Sequence, residues 1–275
     1  MLYAESNGAR TVLHMTTLRD WLLELPARGQ YTFTTADART RQPDVSPAAT
    51  VIALRRAADA GLIVTPVRGF HVVLPLEDRL AGSPSWRLFL DPLLRFLGLP
   101  YYVGLLTAAA HHGASAQAAQ VVQVVVPRQR RPVAVGQVRI EFIVNRAAAQ
   151  APVRLINTPG GRLRMATPEL TALDVVRFPA RSGGWGNVLT VLRDLAPGLR
   201  AARVADALET QPAAADAQRL GYLLEQVGGQ HATRPLRRWL DPRPVSWTPL
   251  VPGAGRVGER DERWRVIVNE RIEAD

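Results

Sequence analysis

The chain has 275 residues, a formal charge of +10 and no cysteine, which excludes disulfides, thiolate metal sites and cysteine nucleophiles. A composition of 47% hydrophobic and 21% charged residues is globular and leaves core material for one large domain or two ordinary ones. No run of eighteen or more uncharged apolar residues occurs, so no transmembrane helix is expected. Met1 to Arg10 carries Glu5, Asn7 and Arg10 without an apolar core of signal-peptide length, so a cytoplasmic location is expected.

Every basic residue is arginine, whose planar fork suits phosphate and base edges. Met1 to Pro75 holds eight Arg against six acids, whereas Trp86 to Trp247 holds twenty against ten. The excess therefore lies in the later part of the chain. Such a basic surface attracts nucleic acid or an acidic partner alike.

Leu18 to Leu25 has apolar residues at helical spacing, ended by Pro26 and Gly29. Tyr31 to Thr34 reads as extended, and Thr35 is placed to cap a short helix over Ala36 to Arg41. Ser46-Pro47 opens a second helix that runs to about Ala60, with Gly61 at its end. Two β-rich runs, Leu62 to Val67 and Phe70 to Leu74, flank an Arg68-Gly69 turn and predict a hairpin. Leu76 to Ser85 is polar, with Gly82 and Pro84, and reads as a linker. Helices are predicted over Trp86 to Leu97 and Tyr101 to His112, and strands over Val121 to Val126 and Val138 to Val144. Pro159-Gly160-Gly161 joins a further hairpin, and Thr167-Pro168-Glu169 starts a helix. Helices over about Asn187 to Leu195, Ala201 to Glu209 and Ala214 to Val227 follow. Pro235 to Leu240 is a further helical turn, and Arg265 to Asn269 a last strand. The fold class expected is α+β: an N-terminal winged helix-turn-helix (1–75), a linker (76–86) and a larger mixed α/β domain (87–275).

Helix, extended piece, helix, turn, helix and hairpin is the order of a winged helix, a DNA-reading unit. A wheel over Ser46 to Ala60 places Val51, Leu54, Ala58 and Leu62 inward, with Ser46, Ala49, Thr50, Ala53, Arg56 and Ala57 opposite. Arg55 falls nearer the packed side. Small residues with one arginine suit a helix seated in a major groove. Arg56 and Thr50 are candidates for a base or phosphate, and Ala49 and Ala53 for thymine methyls. Arg39 and Arg41 would clamp phosphates, and Arg68 at the wing tip would meet the minor groove or a phosphate. The competing reading is a solvated amphipathic helix in a protein-contact module.

In the larger domain, adjacent His111 and His112 point about 100° apart and cannot chelate one ion; a pair favoured by the helix dipole fits better. Glu169 and Asp174 do not share a helix face. No phosphate-binding loop, nucleophile elbow or zinc motif is present, so neither cofactor, metal nor enzymatic activity is expected. Arg128, Arg130, Arg131, Arg139 and Arg146 form a candidate partner patch, equally readable as a solvated loop.

Leu54 to Phe70 (LRRAADAGLIVTPVRGF), Pro100 to Gly113 (PYYVGLLTAAAHHG), Thr167 to Gly184 (TPELTALDVVRFPARSGG) and Trp264 to Asn269 (WRVIVN) resemble the AbiEi-type antitoxins. The resemblance implies a winged helix plus an α/β antitoxin domain. It implies a transcriptional autorepressor that binds inverted repeats in double-stranded operator DNA and neutralises a cognate nucleotidyltransferase-like toxin. By position it makes Ser46 to Ala60 the reading helix and Arg68-Gly69 the wing. A monomer or weak dimer, able to bind DNA cooperatively, is expected. Two rivals stand beside this reading: an RNA-binding module using the basic larger domain, and an enzyme with no recognised motif.

Overall fold

A computed structural model describes residues 17–80, 82–114 and 121–274. Met1–Arg10, read above for an export signal, lies outside them. The N-terminal unit comprises α1 (Leu18–Glu24), β1 (Thr32–Thr34), α2 (Thr35–Arg41), α3 (Pro47–Asp59), β2 (Ile63–Val67) and β3 (Phe70–Val73). Capping residues set the helix starts. Thr17 with Asp20 and Thr34 with Asp37 form reciprocal capping boxes, and the Ser46 hydroxyl accepts from Ala49 N. The cap of α2 is thus Thr34, one residue before the Thr35 expected from sequence. Thr35 is freed to bond His71 instead.

β1, β3 and β2 form an antiparallel sheet in that order. Pro66 sits in edge strand β2, where the ladder slips between Val64 and Val67 and no inner hydrogen bond is lost. All four residues of β3 are buried. Val73 joins a cluster with Trp21, Leu22, Phe33, Leu54 and Ile63, beneath the helices. Phe70 and Val72, on alternate positions, join Phe89, Leu93 and Tyr102 in a second cluster. A strand buried on both faces reads as a nearly continuous apolar run, and β3 follows that rule except at His71, whose ring nitrogens find hydroxyl partners. The small sheet is sandwiched between the N-terminal helices and the larger domain.

The polar segment that follows is anchored. It forms a short 3-10 turn at Leu76–Asp78, and the Ser83 hydroxyl bonds Val135 O and Gln137 N. α4 (Trp86–Phe96) then lies between the two sheets, its Phe96 ring 5.4 Å from Phe70. The helix expected over Tyr101 to His112 is divided. Tyr102–Val103 forms β4, and only Leu105–His111 is helical (α5). Gly104 between them has Tyr102, Val125 and Asp174 atoms within 3.0–3.1 Å of where a Cβ would stand. The chain passes there at a separation that favours glycine.

β4 is central to a six-stranded mixed sheet with β5 (Val121–Val126), β6 (Val133–Val135), β7 (Val138–Val144), β8 (Val153–Thr158) and β9 (Gly161–Ala166). Its order is β6-β7-β5-β4-β9-β8, with β7–β5 and β4–β9 parallel. β6 lies inside the loop expected between Pro127 and Gly136. Against this sheet stands a helical layer: α6 (Pro168–Arg177), α7 (Gly184–Leu195), α8 (Ala201–Thr210), α9 (Ala214–Gln226) and α10 (Thr233–Leu240). A small sheet closes the far side, with β10 (Thr248–Pro249), β11 (Glu259–Asp261) and β12 (Val266–Val268). Trp264, 1% exposed, packs so closely on α9 that a Cβ on Gly221 would stand 2.2 Å from its ring.

Phe70→Ala should cost about 3 kcal/mol and lower a single cooperative melting transition of the whole chain. Calorimetry checks it; two separate transitions, only one of them shifted, would show that the sheet does not join the units. Gly221→Ala should cost about 2 kcal/mol by forcing Trp264 aside, measured by denaturant titration.

Candidate nucleic-acid interface and the buried centre of the larger domain

The orientation of α3 decides which side chains can leave the protein surface. Thr50, Leu54 and Ala57 are buried, and Ala53 and Ala58 pack partly against the same core. The Thr50 hydroxyl turns back to bond Ser46 O at 3.2 Å. Val51 and Ile52 are 53% and 52% exposed. The inward face differs from the one read off the wheel. Leu62, used there as an anchor, follows Gly61 in left-handed conformation (φ 66°) and no longer shares the phase of the helix. Thr50 is accordingly removed from the solvent face, and Ala53 is only half-open. Arg55, about 140° around from Thr50 at 100° per residue, stands near the middle of the open side with Ala48, Ile52 and Asp59. Ser46, Ala49 and Arg56 are exposed on its flanks. Arg56 borders a shallow apolar groove of about 370 Å³ against Thr17, Leu18 and Arg19. The signal that could have placed Arg55 outward is the helix end at Gly61, which excludes Leu62 from the wheel.

Arg39 and Arg41 are exposed in the last turn of α2, and Arg68 is exposed at the β2–β3 turn. None of the three makes an ion pair among the described residues. The turn is held from two sides: Thr35 N donates to Gly69 O at 3.0 Å, and the Phe96 ring lies close beneath Gly69. His71 ties the unit together. Its two ring nitrogens lie 2.9 Å from the Thr35 and Thr65 hydroxyls, and the ring stacks on Phe33. Burial holds its pKa below the usual histidine value.

In the larger domain, Arg128, Arg131 and Arg146 are exposed and Arg130 half-buried, without ion pairs among the described residues. Arg139 differs: its Nε lies 3.0 Å from Glu141, which also meets Arg181 at 3.6 Å. The candidate patch is therefore partly neutralised at Arg139. His111 closes α5 and His112 is its cap, so the pair stands at the helix C-terminus. Burial, together with mutual repulsion at His111 and nearby arginines, holds both below the ordinary histidine value. Among the described residues, no cluster of three or more His, Cys, Asp or Glu side chains could hold a metal, and no helix is long and apolar enough to cross a membrane.

The centre of the larger domain holds a polar network that periodicity did not reveal. Tyr102 Oη donates to Asp174 Oδ1 at 3.1 Å. Arg177, one turn on, donates to Asp216 at 2.7 Å and to the Gln211 side chain and backbone carbonyl at 3.2 and 3.0 Å. Asn145 donates to Gln211 Oε1, which links the end of β7 to the same group. Burial raises the Asp174 pKa to about 7, offset in part by Arg177 and Tyr102, and burial drives Tyr102 well above the usual phenol value. Asp174 has no exposed surface, so its proton is kept from any substrate. The group ties sheet to helices.

Asp174 also dictates a pH response. Below its unfolded pKa, near 3.8, both states are protonated and burial carries no charge penalty. As pH rises toward 7 the unfolded chain ionises first, so stability falls. The loss is complete above 7, on the order of 4 kcal/mol. Asp174→Asn should therefore raise the melting temperature at pH 8 more than at pH 4.5. Equal effects at both pH values would mean that Asp174 is charged in the native state.

Residues 102–226 match the family described as the AbiEi antitoxin C-terminal domain. No curated protein matches the chain. Among solved structures, the RV2827C protein from Mycobacterium tuberculosis is similar over 90% of this chain and 89% of its own, at 19% identity with a TM-score of 0.64. That similarity extends the shared fold beyond the matched domain to nearly the full length. The matched segment, residues 102–226, spans the six-stranded sheet from β4 and the helical layer as far as α9, and over that segment the chain is similar to the AbiEi antitoxin C-terminal domain.

Proposed function

We propose that the chain is a non-enzymatic antitoxin and transcriptional autorepressor, active in the cytoplasm. Residues 1–75 act as a winged helix-turn-helix that reads inverted repeats in operator DNA. Residues 87–275 neutralise a nucleotidyltransferase-like toxin. One observation carries the reading: the domain that matches the antitoxin family shares a hydrophobic core with an N-terminal unit whose helix α3 turns Ala48, Ala49, Ile52 and two arginines to solvent.

On this reading the open side of α3, small at its first turn and apolar at Val51 and Ile52, faces a major groove. Ala48 and Ala49 offer little bulk, and Ile52 can lie on thymine methyls. Arg55 takes the base-reading place and Arg56 a flanking one. Arg39, Arg41, Ser46 and Arg68 supply phosphate contacts, which position the helix without reading sequence. Asp59 marks the end of the contact, because a carboxylate is repelled by the backbone. The packed turn around Arg68-Gly69 gives the wing a fixed position before DNA arrives.

Arg55→Ala should weaken binding to the chain's own promoter duplex by about 1–3 kcal/mol and leave binding to unrelated duplexes nearly unchanged. Fluorescence anisotropy measures both, and unchanged promoter affinity removes Arg55 from the groove. Arg68→Ala should weaken all duplexes alike and reduce the slope of log affinity against log salt by about one unit. Loss confined to the promoter would instead assign Arg68 to base or groove-shape reading. For the second activity, the full chain should restore growth to cells expressing the toxin of its own operon. Continued growth arrest at equal expression contradicts the antitoxin assignment.

A further inference from the structure

Two arginines and two histidines are grouped where α5 ends against the β8–β9 hairpin. His111 is the last residue of α5 and His112 its cap, with ring centroids 5.2 Å apart. His112 Nε2 donates to the Ala166 carbonyl at 2.8 Å. Met165, the preceding residue, stands opposite Arg154 in the β8–β9 ladder, which brings Arg154 to the same corner. Thr158, on the same strand face as Arg154, donates to the Arg87 carbonyl at 3.0 Å. The Arg87 guanidinium is held over the Trp86 ring, 4.6 Å from its centroid. Arg87, Arg154 and His111 are exposed and form no ion pair among the described residues.

Such a group is self-repelling. His111 is held below its usual pKa by burial and then by His112, Arg87 and Arg154. His112 is lowered by burial and Arg154, with the Ala166 carbonyl and Glu169 acting the other way. Glu169 is itself buried and its Oε1 accepts from Arg200 N at 2.9 Å, so it is not free to neutralise the corner. A metal ion would meet two guanidinium charges and two rings that diverge along the helix. A multiply charged oxyanion meets the guanidinium and ring N–H donors of Arg87, Arg154 and His111.

We propose that this corner binds a phosphoryl anion, with Arg87 and Arg154 pairing its oxygens and His111 adding a hydrogen bond. Three or more oxygens on one centre match two guanidinium forks better than a single carboxylate does. The anion favours protonated His111, so binding strengthens as pH falls through the histidine range. The same chemistry could be supplied by inorganic phosphate, by a terminal phosphate of nucleic acid or by its phosphodiester backbone.

The test is a histidine-resolved NMR titration of the full chain with inorganic phosphate, and with sulfate, which stays doubly charged throughout, at constant ionic strength, at pH 6 and pH 7.5. A saturable shift of His111 is expected with both anions, tighter at pH 6 for sulfate, with Arg87→Ala and Arg154→Ala each weakening it about tenfold. Arg154→Lys should retain part of the affinity. Both arginines are exposed, so unchanged melting temperatures in the variants establish that folding is intact. A single-stranded oligonucleotide with a 5′-phosphate, compared with its 5′-hydroxyl form, separates the sources: tighter binding of the first assigns a terminal phosphate, and equal binding assigns the backbone. No saturable shift, an equal shift with chloride, or a shift that survives the double arginine variant would overturn the proposal.

Discussion

The two-sided burial of β3 is the constraint on which the remaining architecture depends. Val73 closes the core beneath the N-terminal helices, while Phe70 and Val72 close the core above the six-stranded sheet. A winged unit with a free wing would leave one sheet face in water. Here α4 covers that face, and Phe96 supports the turn at Arg68-Gly69. Position and stability of the N-terminal unit are therefore set partly by residues of the larger domain. Whatever α3 touches, the larger domain is held in fixed relation to it.

Much of the element order was legible because it is written in caps and turns. Ser46-Pro47 and Thr167-Pro168 open their helices where a hydroxyl followed by proline predicts, and the β2–β3 and β8–β9 hairpins fall on their glycine-containing turns. Those signals are local, so sequence alone carries them. The rotation of α3 was not legible in the same way: Thr50 is buried through a backbone hydrogen bond, and Val51 is left to solvent. β4 has two residues and exists only because β5 and β9 flank it. Tyr102 and Asp174, 72 positions apart, meet through that arrangement. Arg39, Arg41 and Arg68, read from sequence as phosphate or groove contacts, are exposed, while Arg139 was not distinguishable from its neighbours until Glu141 appeared beside it.

Two kinds of polar chemistry divide the molecule. Buried groups such as His71 and the Tyr102–Asp174–Arg177–Gln211 network use their partners to fix one element against another. Exposed arginines on α2, α3, the β2–β3 turn and the β8 corner have no carboxylate partner among the described residues and face outward. The first kind specifies the fold, and the second is where anionic partners gain their attraction. That division accounts for a strongly basic chain whose perturbed carboxyl, Asp174, lies beyond the reach of solvent.

The central claim is that one rigid body meets operator DNA through α2, α3 and the wing turn while the larger domain supports it from behind. Hydrogen exchange of the full chain with and without its promoter duplex tests this most directly. The account predicts new protection over Thr35–Arg41, Pro47–Asp59 and residues 66–70 when DNA is added, with β3 strongly protected in both states. Protection confined to residues 127–146, or rapid exchange in Phe70–Val73, would contradict it.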